Sequence, residues 1–132
     1  MDWLLNRLKK NVPPTPSEFE LFLGKINFEI DEYYKEFIKM YDGAEGCYEK
    51  GSCVILWNID DLIKLNPYYD FIEDCKSLFF IGSDGGGLGF AFDKKSGMVV
   101  SIDFLEIGNS EPFIVANSFL LFLEYVSKNS FY

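Results

Sequence analysis

Apolar residues recur three or four positions apart in several segments of the chain, which is the spacing of a helix with one buried side. The segments predicted to be helical are 1–12, a stretch opened by the capping-box pair Ser17 and Glu20, a stretch from about Asp31, a short one from Asn58 or Asp60 to Pro67, and a last one from Asn117 or Ser118. The last helix is predicted to bury Phe119, Phe122, Leu123 and Val126.

Short apolar runs between these segments, rich in β-branched and aromatic residues, predict strands at 53–57, 77–81, 90–92 and 98–104. The last three are joined by short turns, which indicates antiparallel hairpins, because a parallel crossover needs about a dozen residues or more. We therefore predict an α+β fold, a single domain with a mostly antiparallel sheet flanked by helices. The domain is expected to fill 1–132, with its core at about 15–127 and an N-terminal helix and proline-rich connector at 1–14.

The chain has 132 residues, of which 48% are apolar and 18% aromatic, so one compact domain can bury a core. No apolar stretch approaches the roughly 20 residues that span a bilayer, and the first ten residues do not read as a secretory signal. The three cysteines, Cys47, Cys53 and Cys75, stand at unrelated spacings. This favours reduced thiols in a cytoplasmic protein over a disulfide framework or a zinc site.

The net charge of −9 is unevenly distributed. Seven acids and two lysines lie within 29–49, and five acids and one lysine lie within 60–74, so the rest of the chain is neutral. Nucleic acids and anionic membranes are disfavoured as direct partners, because they require Lys and Arg. An acidic surface attracts a basic protein and speeds its association. A solvated face that aids solubility is the alternative interpretation.

The chain contains no histidine, which excludes Ser–His and Cys–His nucleophilic pairs and the usual zinc sites. The glycine-rich segment 82–89 lacks the Lys and Ser or Thr of a P-loop, and a strand rather than a helix follows it. A hairpin turn is the favoured interpretation. Adjacent acids such as Asp60 and Asp61 are typical of helix starts. No catalytic residue, cofactor or metal ligand is predicted, and the chain is not expected to be an enzyme.

Aromatic and acidic residues are interleaved directly after the short fourth helix. Tyr68, Tyr69 and Phe71 lie among acids there. They either cover the edge of the sheet or form a contact patch, since tyrosine is enriched among residues that dominate binding energy. The residues predicted to contact a partner are Glu45, Glu49, Tyr68, Tyr69, Asp70, Glu73 and Asp74.

Four segments, taken in order, resemble the SUKH superfamily in its Smi/Knr group of cell-wall-assembly regulators. They are the early helix at 30–43, the strand, short helix and Asn-Pro-Tyr at 55–68, the glycine-rich stretch at 80–93, and the "Ser-Phe" helix at 115–123. The similarity covers roughly residues 15–127. In the first segment, Asp31 and Asp42 stand where the family usually has proline and asparagine.

The resemblance implies an α+β domain without catalysis, and Gly82, Gly86, Asp93 and Phe119 correspond to fold-signature positions only. Bacterial members are typically immunity proteins of polymorphic or contact-dependent toxin systems, and they bind and block a cognate toxin, often a nuclease. We therefore expect a cytoplasmic immunity protein, a monomer or weak homodimer, that neutralises a basic toxin domain through its acidic surface. A regulatory interaction scaffold and a small-ligand-binding domain remain the alternatives.

Overall fold

A computed structural model describes residues 2–107, 109 and 111–131 of the chain. Within this part, seven strands form one antiparallel sheet in which every strand lies beside its neighbour in sequence. The strands are β1 Lys9–Lys10, β2 Ala44–Cys47, β3 Cys53–Leu56, β4 Leu78–Ser83, β5 Leu88–Asp93, β6 Val99–Asp103 and β7 Phe113–Ala116. The helices are α1 Asp2–Leu5, α2 Pro16–Lys25, α3 Glu32–Met40, α4 Ile59–Tyr69 and α5 Phe119–Lys128, with a 3₁₀ turn at Glu73–Cys75. The predicted α+β class and antiparallel hairpins are confirmed.

The start of α2 is fixed by a capping box two residues earlier than predicted. The N–H of Glu18 donates to Thr15 Oγ1 at 3.2 Å, and the N–H of Thr15 donates to Glu18 Oε1 at 3.0 Å. The prediction of Ser17 and Glu20 as the capping pair is therefore wrong. Pro16 is the first residue of α2, a position at which a proline is well tolerated because its missing N–H needs no partner there.

Asp31 joins the starts of two helices that are far apart in sequence. Its Oδ1 accepts the N–H of Tyr34 at 3.0 Å in α3, and its Oδ2 accepts the N–H of Phe119 at 3.0 Å in α5. Of the alternative caps predicted for the other helices, Asn58 caps α4 and Ser118 caps α5. Carboxylate, amide and hydroxyl oxygens at these helix starts accept hydrogen bonds from backbone donors that have no partner within the helix.

The helices cover one face of the sheet and form the larger core of the protein. The four residues predicted for the buried side of α5 are all fully buried: Phe119, Phe122, Leu123 and Val126. The apolar residues Tyr34, Phe37 and Ile38 of α3 are buried as well, and the ring centroid of Tyr34 lies 5.1 Å from those of both Phe92 and Phe119. Local periodicity therefore predicted this core correctly.

The opposite face of the sheet carries a smaller core that is covered mainly by loops. Its buried residues are Cys75, Leu78, Phe80, Ala91, Val100 and Ile102. The cover consists of the end of α4, the 3₁₀ turn and the segment 104–107. The ring of Tyr69 lies 4.1 Å from that of Phe80 and 6.1 Å from that of Phe104.

The N-terminal segment differs from its prediction. A helix over 1–12 was expected, but helix α1 ends at Leu5, and Lys9 pairs with Glu45 of β2. Leu8 is buried, whereas Trp3 is 57% exposed. Pairing with β2 gives the backbone of Lys9 and Lys10 hydrogen-bond partners here, in place of the hydrogen bonds of a helix. The strands β1, β2 and β7 were not predicted, because they are short and lack a clear alternation.

The expectation of three reduced thiols is also wrong. Cys47 and Cys53 stand opposite each other in the β2–β3 hairpin, with Cα atoms 3.9 Å apart, and form a disulfide, whereas Cys75 is free and buried. The pairing depends on the register of β2 against β3. Because β2 was not recognised in the sequence, the spacing of the cysteines gave no indication of a bond.

Candidate functional site

One side chain attaches the end of α4 to the sheet. Asn66 Nδ2 donates to the carbonyl of Phe80 at 2.9 Å, and Asn66 Oδ1 accepts the N–H of Phe80 at 2.7 Å. Because β3 ends at Leu56, these backbone groups of β4 have no strand partner on that side, and the amide replaces one. Helix α4 runs through Pro67 to Tyr69, two residues beyond the predicted limit.

Three large apolar side chains lie in solvent beside this attachment. Tyr68 is 72% exposed, Phe71 is 90% exposed and Leu105 is 87% exposed. Each is next in sequence to a residue that packs on the smaller core. Because Tyr69 and Phe104 stack with centroids 6.1 Å apart, the end of α4 with the turn after it lies beside the segment that follows β6. The result is an apolar patch held by anchored neighbours.

Acidic side chains accompany the patch. Lys76 Nζ lies 2.6 Å from Glu73 Oε2, and this hydrogen bond lowers the pKa of the Glu73 carboxyl. Asp70 and Asp74 are exposed and form no ion pair with the described cations. We define the α4-end surface as the following exposed residues of these two segments: Tyr68, Asp70, Phe71, Glu73, Asp74, Leu105 and Glu106. This surface combines exposed apolar area with negative charge.

Five of the seven residues predicted to contact a partner lie together in the structure. Tyr68, Asp70, Glu73 and Asp74 are exposed on the α4-end surface. Tyr69 lies beneath it against Phe80 and is half-buried, so it supports the surface. Of the two interpretations left open by the sequence, Tyr69 fits the one in which the ring covers the sheet, and Tyr68 fits the contact patch.

The other two predicted contact residues lie on the β2–β3 hairpin. Glu45 is opposite Ile55 and, together with Trp57 and Asp61, lines a concavity of about 230 Å³. Burial alternates along β2 and β3, which places Glu45 on the sheet face away from the larger core. Glu49 is exposed in the turn that follows β2. Neither residue belongs to the α4-end surface.

Leu105 and Glu106 were not predicted as contact residues. The third hairpin strand was expected to end at Phe104, and the residues after it were treated as a connection. Leu105 is exposed because Phe104 turns inward to stack on Tyr69. No local pattern in the sequence reports that contact, since it depends on where α4 ends.

The glycine-rich segment forms the β4–β5 turn and folds around its own carboxylate. Asp84 Oδ1 accepts the N–H groups of Gly86 at 2.8 Å, Gly87 at 3.0 Å and Leu88 at 3.0 Å. These are the kind of backbone donors that a phosphate would need. The geometry is that of a hairpin turn, as the sequence favoured.

The four fold-signature positions lie at a close contact between strands, in two turns and in the larger core. Gly82 lies where β4 approaches β3 so closely that a Cβ atom would overlap the carbonyl oxygen of Ile55. Gly86 belongs to the turn around Asp84, and Phe119 is fully buried. Asp93 Oδ1 accepts the N–H of Lys95 at 2.8 Å in the β5–β6 turn. Each position therefore takes part in a contact within the fold.

The described residues offer no arrangement for metal chemistry. Over 2–107, 109 and 111–131, no group of three or more Cys, Asp or Glu side chains is placed to hold a metal ion. In the same part of the chain, no helix is long and apolar enough to cross a membrane.

Comparison with known proteins assigns the fold to a family. The model of the SMI1 / KNR4 family (SUKH-1) matches residues 13–125, which include the α4-end surface and most of α5. None of the curated proteins matches the chain. Because the family match spans most of the 132 residues, the chain belongs to the SMI1 / KNR4 family (SUKH-1).

Proposed function

We propose that this protein is a non-catalytic immunity protein that binds and neutralises a cognate basic toxin domain of a bacterial toxin system in the cytoplasm. The α4-end surface is the part that makes the contact. The observation that carries this proposal is the combination of exposed apolar side chains with Asp70 and Asp74, which pair with none of the described cations, on two anchored segments. Membership of a family with immunity and regulatory roles supports the same conclusion.

The apolar side chains of the surface supply binding energy. Phe71, at 90% exposure, contributes little to folding, but burying such a ring against a partner is worth about 1.5–3 kcal/mol. Aromatic residues are enriched among the few that dominate binding energy. The Asn66 clamp, meaning the two hydrogen bonds between the Asn66 amide and the backbone of Phe80, and the packing of Tyr69 on Phe80 hold the end of α4 in place. Little conformational freedom is therefore lost on binding.

The acids of the surface orient a basic partner and speed its association. Asp70 and Asp74 are not neutralised by the described cations, whereas the local pairs Lys64–Asp60 and Lys76–Glu73 are exposed and contribute little to stability. Nuclease toxins tend to be basic because they bind phosphates. An acidic inhibitor therefore associates quickly with that surface and covers the toxin's active site or nucleic-acid groove.

Other acids of the chain serve the fold. Asp31 binds the starts of α3 and α5, and Asp84 binds the β4–β5 turn. Asp42 Oδ1 accepts the N–H of Ile59 at 2.7 Å at the start of α4. With these carboxylates engaged and no histidine in the chain, a binding role is favoured over catalysis.

Co-expression tests the proposal. The chain is produced with the C-terminal domain of the large protein encoded next to it, and growth rescue and the affinity of the purified pair are measured. Phe71→Ala should weaken binding about 10- to 100-fold through loss of the buried ring. The double variant Asp70→Lys/Asp74→Lys should slow association about tenfold or more at low salt, with a smaller difference at high salt.

The control is Glu20→Lys/Glu36→Lys, which changes the net charge equally on α2 and α3, over the opposite face. It should leave the affinity nearly unchanged, and an equal loss would show that total charge rather than the α4-end surface matters. The variant Glu45→Lys/Glu49→Lys tests separately whether the β2–β3 hairpin contributes to toxin binding. A neighbouring domain that is harmless, or that stays lethal and unbound when both proteins are soluble, contradicts the immunity function and favours a regulatory one.

A further inference from the structure

We propose that Cys47 and Cys53 are a reversible thiol–disulfide site that controls how firmly the β2–β3 hairpin holds the two ends of the chain. The two cysteines are exposed and stand opposite each other in the hairpin. An exposed disulfide is accessible to an attacking thiolate, which is the first requirement of exchange. Cys75, by contrast, is fully buried.

The segment between the cysteines holds the end of α5. The N–H of Ser52 donates to the carbonyl of Val126 at 2.7 Å, and Ser52 Oγ donates to the carbonyl of Asn129 at 2.6 Å. Carbonyls at the end of a helix lack partners within it, and these donors supply them. Gly51 lies so close that a Cβ atom there would overlap the Val126 carbonyl, which leaves room only for glycine.

The same segment also holds α1. The hydroxyl of Tyr48 donates to the carbonyl of Leu4 at 2.8 Å, and Tyr48 is 7% exposed. The N–H of Tyr48 donates to the carbonyl of Ser52 at 3.1 Å, which closes the turn. These hydrogen bonds to Leu4, Val126 and Asn129 therefore all come from Tyr48 and Ser52, and the disulfide spans this segment.

Opening the site is thiol–disulfide exchange with a dithiol reductant. A reductant thiolate attacks Sγ of Cys47 or Cys53, the S–S bond breaks, and the departing cysteine takes up a proton. The second thiol of the reductant then attacks the mixed disulfide and releases the other cysteine. The protein gains two electrons and two protons, and the reductant leaves as a disulfide.

Exposure of the site makes its state depend on the surroundings. A reducing compartment keeps the pair as thiols, and an oxidising one closes it. In the open state, residues 48–52 lose the covalent constraint and are held by their hydrogen bonds and by the packing of Tyr48 in the larger core. The toxin-binding proposal concerns the α4-end surface and does not depend on this site.

The test uses the full-length protein under native conditions. The air-oxidised chain is treated with millimolar dithiothreitol, alkylated and analysed by peptide mass, with amide hydrogen exchange measured in parallel. Cys47 and Cys53 should be alkylated and Cys75 should not, since burial raises the pKa of its thiol. Exchange of the Ser52 amide should rise at least tenfold, while that of the Phe80 amide, bonded to Asn66, stays constant.

The melting temperature should fall by about 5–10 °C on reduction, since closing a short loop restricts the unfolded chain. Cys47→Ser/Cys53→Ser should behave like the reduced protein with or without dithiothreitol, and Cys75→Ala should respond as the wild type does. If the double variant does not fold, the wild-type comparison alone decides. Reduction only after unfolding, or reduction that leaves Ser52 exchange unchanged, would overturn the proposal.

Discussion

The two faces of the sheet are covered in different ways. On one face, helices with regular apolar stripes form the larger core, in which Phe119 and Phe122 are fully buried. On the other face, the end of α4, the 3₁₀ turn and the segment 104–107 form the cover, and Phe71 and Leu105 remain in solvent. A helix turns its whole apolar side to the core, whereas an irregular segment buries one residue and exposes the next. The loop-covered face therefore carries the two most exposed large apolar side chains of the described residues, Phe71 and Leu105.

The largest effect on stability is expected from truncating a side chain in the larger core, on the helix-covered face. Phe119→Ala removes a ring whose centroid lies 5.1 Å from that of Tyr34 and 5.3 Å from that of Phe37. The free energy of unfolding, measured by urea titration, should fall by about 3–5 kcal/mol. Leu121→Ala, on the same helix at 46% exposure, should lower it by less than about 1 kcal/mol. Equal losses would show that the larger core is not selectively packed.

The second prediction concerns the clamp at the edge of the loop-covered face. Asn66→Ala leaves the N–H and carbonyl of Phe80 unsatisfied in a buried position. The free energy of unfolding should fall by about 2–4 kcal/mol, since each such group carries a desolvation penalty of about 1–3 kcal/mol. Asn27→Ala, at an exposed position, is the control. A loss below about 0.5 kcal/mol would mean that the clamp does not hold α4 to the sheet.

Two neighbouring tyrosines on the loop-covered face should contribute unequally to stability. Tyr69→Ala removes a half-buried ring stacked on Phe80 and should lower the free energy of unfolding by about 2 kcal/mol. Tyr68→Ala removes a ring that is 72% exposed and should change it by less than about 0.5 kcal/mol. Thermal and urea unfolding of the two variants give the difference. If both lose stability equally, Tyr68 serves the fold and is not a free contact residue.

The larger core could be predicted from the sequence because it depends on local patterns. The stripes of α3 and α5, and the hairpins from β4 to β6, repeat at spacings that a single segment displays. The cap of α5 at Ser118 follows from the same local signals. The cap of α2 was misplaced because Pro16 can either block a helix or begin one, and the pattern before Phe19 does not decide between them.

The candidate site could be predicted only in part, because it depends on contacts between distant segments. The run from Tyr68 to Asp74 was recognisable from its composition. Which of its tyrosines is buried depends on Phe80 and Phe104, which approach only in the fold. The Cys47–Cys53 bond likewise depends on strand register. A single sequence contains no local record of such contacts.

The smallest effects are expected from two buried tyrosines of the larger core, which differ by one hydrogen bond. The hydroxyl of Tyr48 donates to the carbonyl of Leu4, whereas the hydroxyl of Tyr34 has no partner among the described residues. Tyr48→Phe should lower the free energy of unfolding by about 1 kcal/mol, and Tyr34→Phe should raise it by a similar amount, because it removes a buried group without a partner. Urea titration at neutral pH measures both.

Alkaline unfolding checks the same pair independently. Burial raises the pKa of Tyr48 to about 12 and raises that of Tyr34 well above its usual value near 10. Above pH 10 the unfolded chain releases protons that the folded chain retains, so stability is full below pH 10 and falls as the pH rises toward 12. Each Phe variant should show a shallower fall than the wild type. The contrary result is a Tyr34→Phe variant whose stability falls as steeply with pH as that of the wild type and is no higher at neutral pH. That result would mean that the Tyr34 hydroxyl of the wild type reaches solvent. The helices would then not close their face of the sheet, and the contrast with the loop-covered face would not hold.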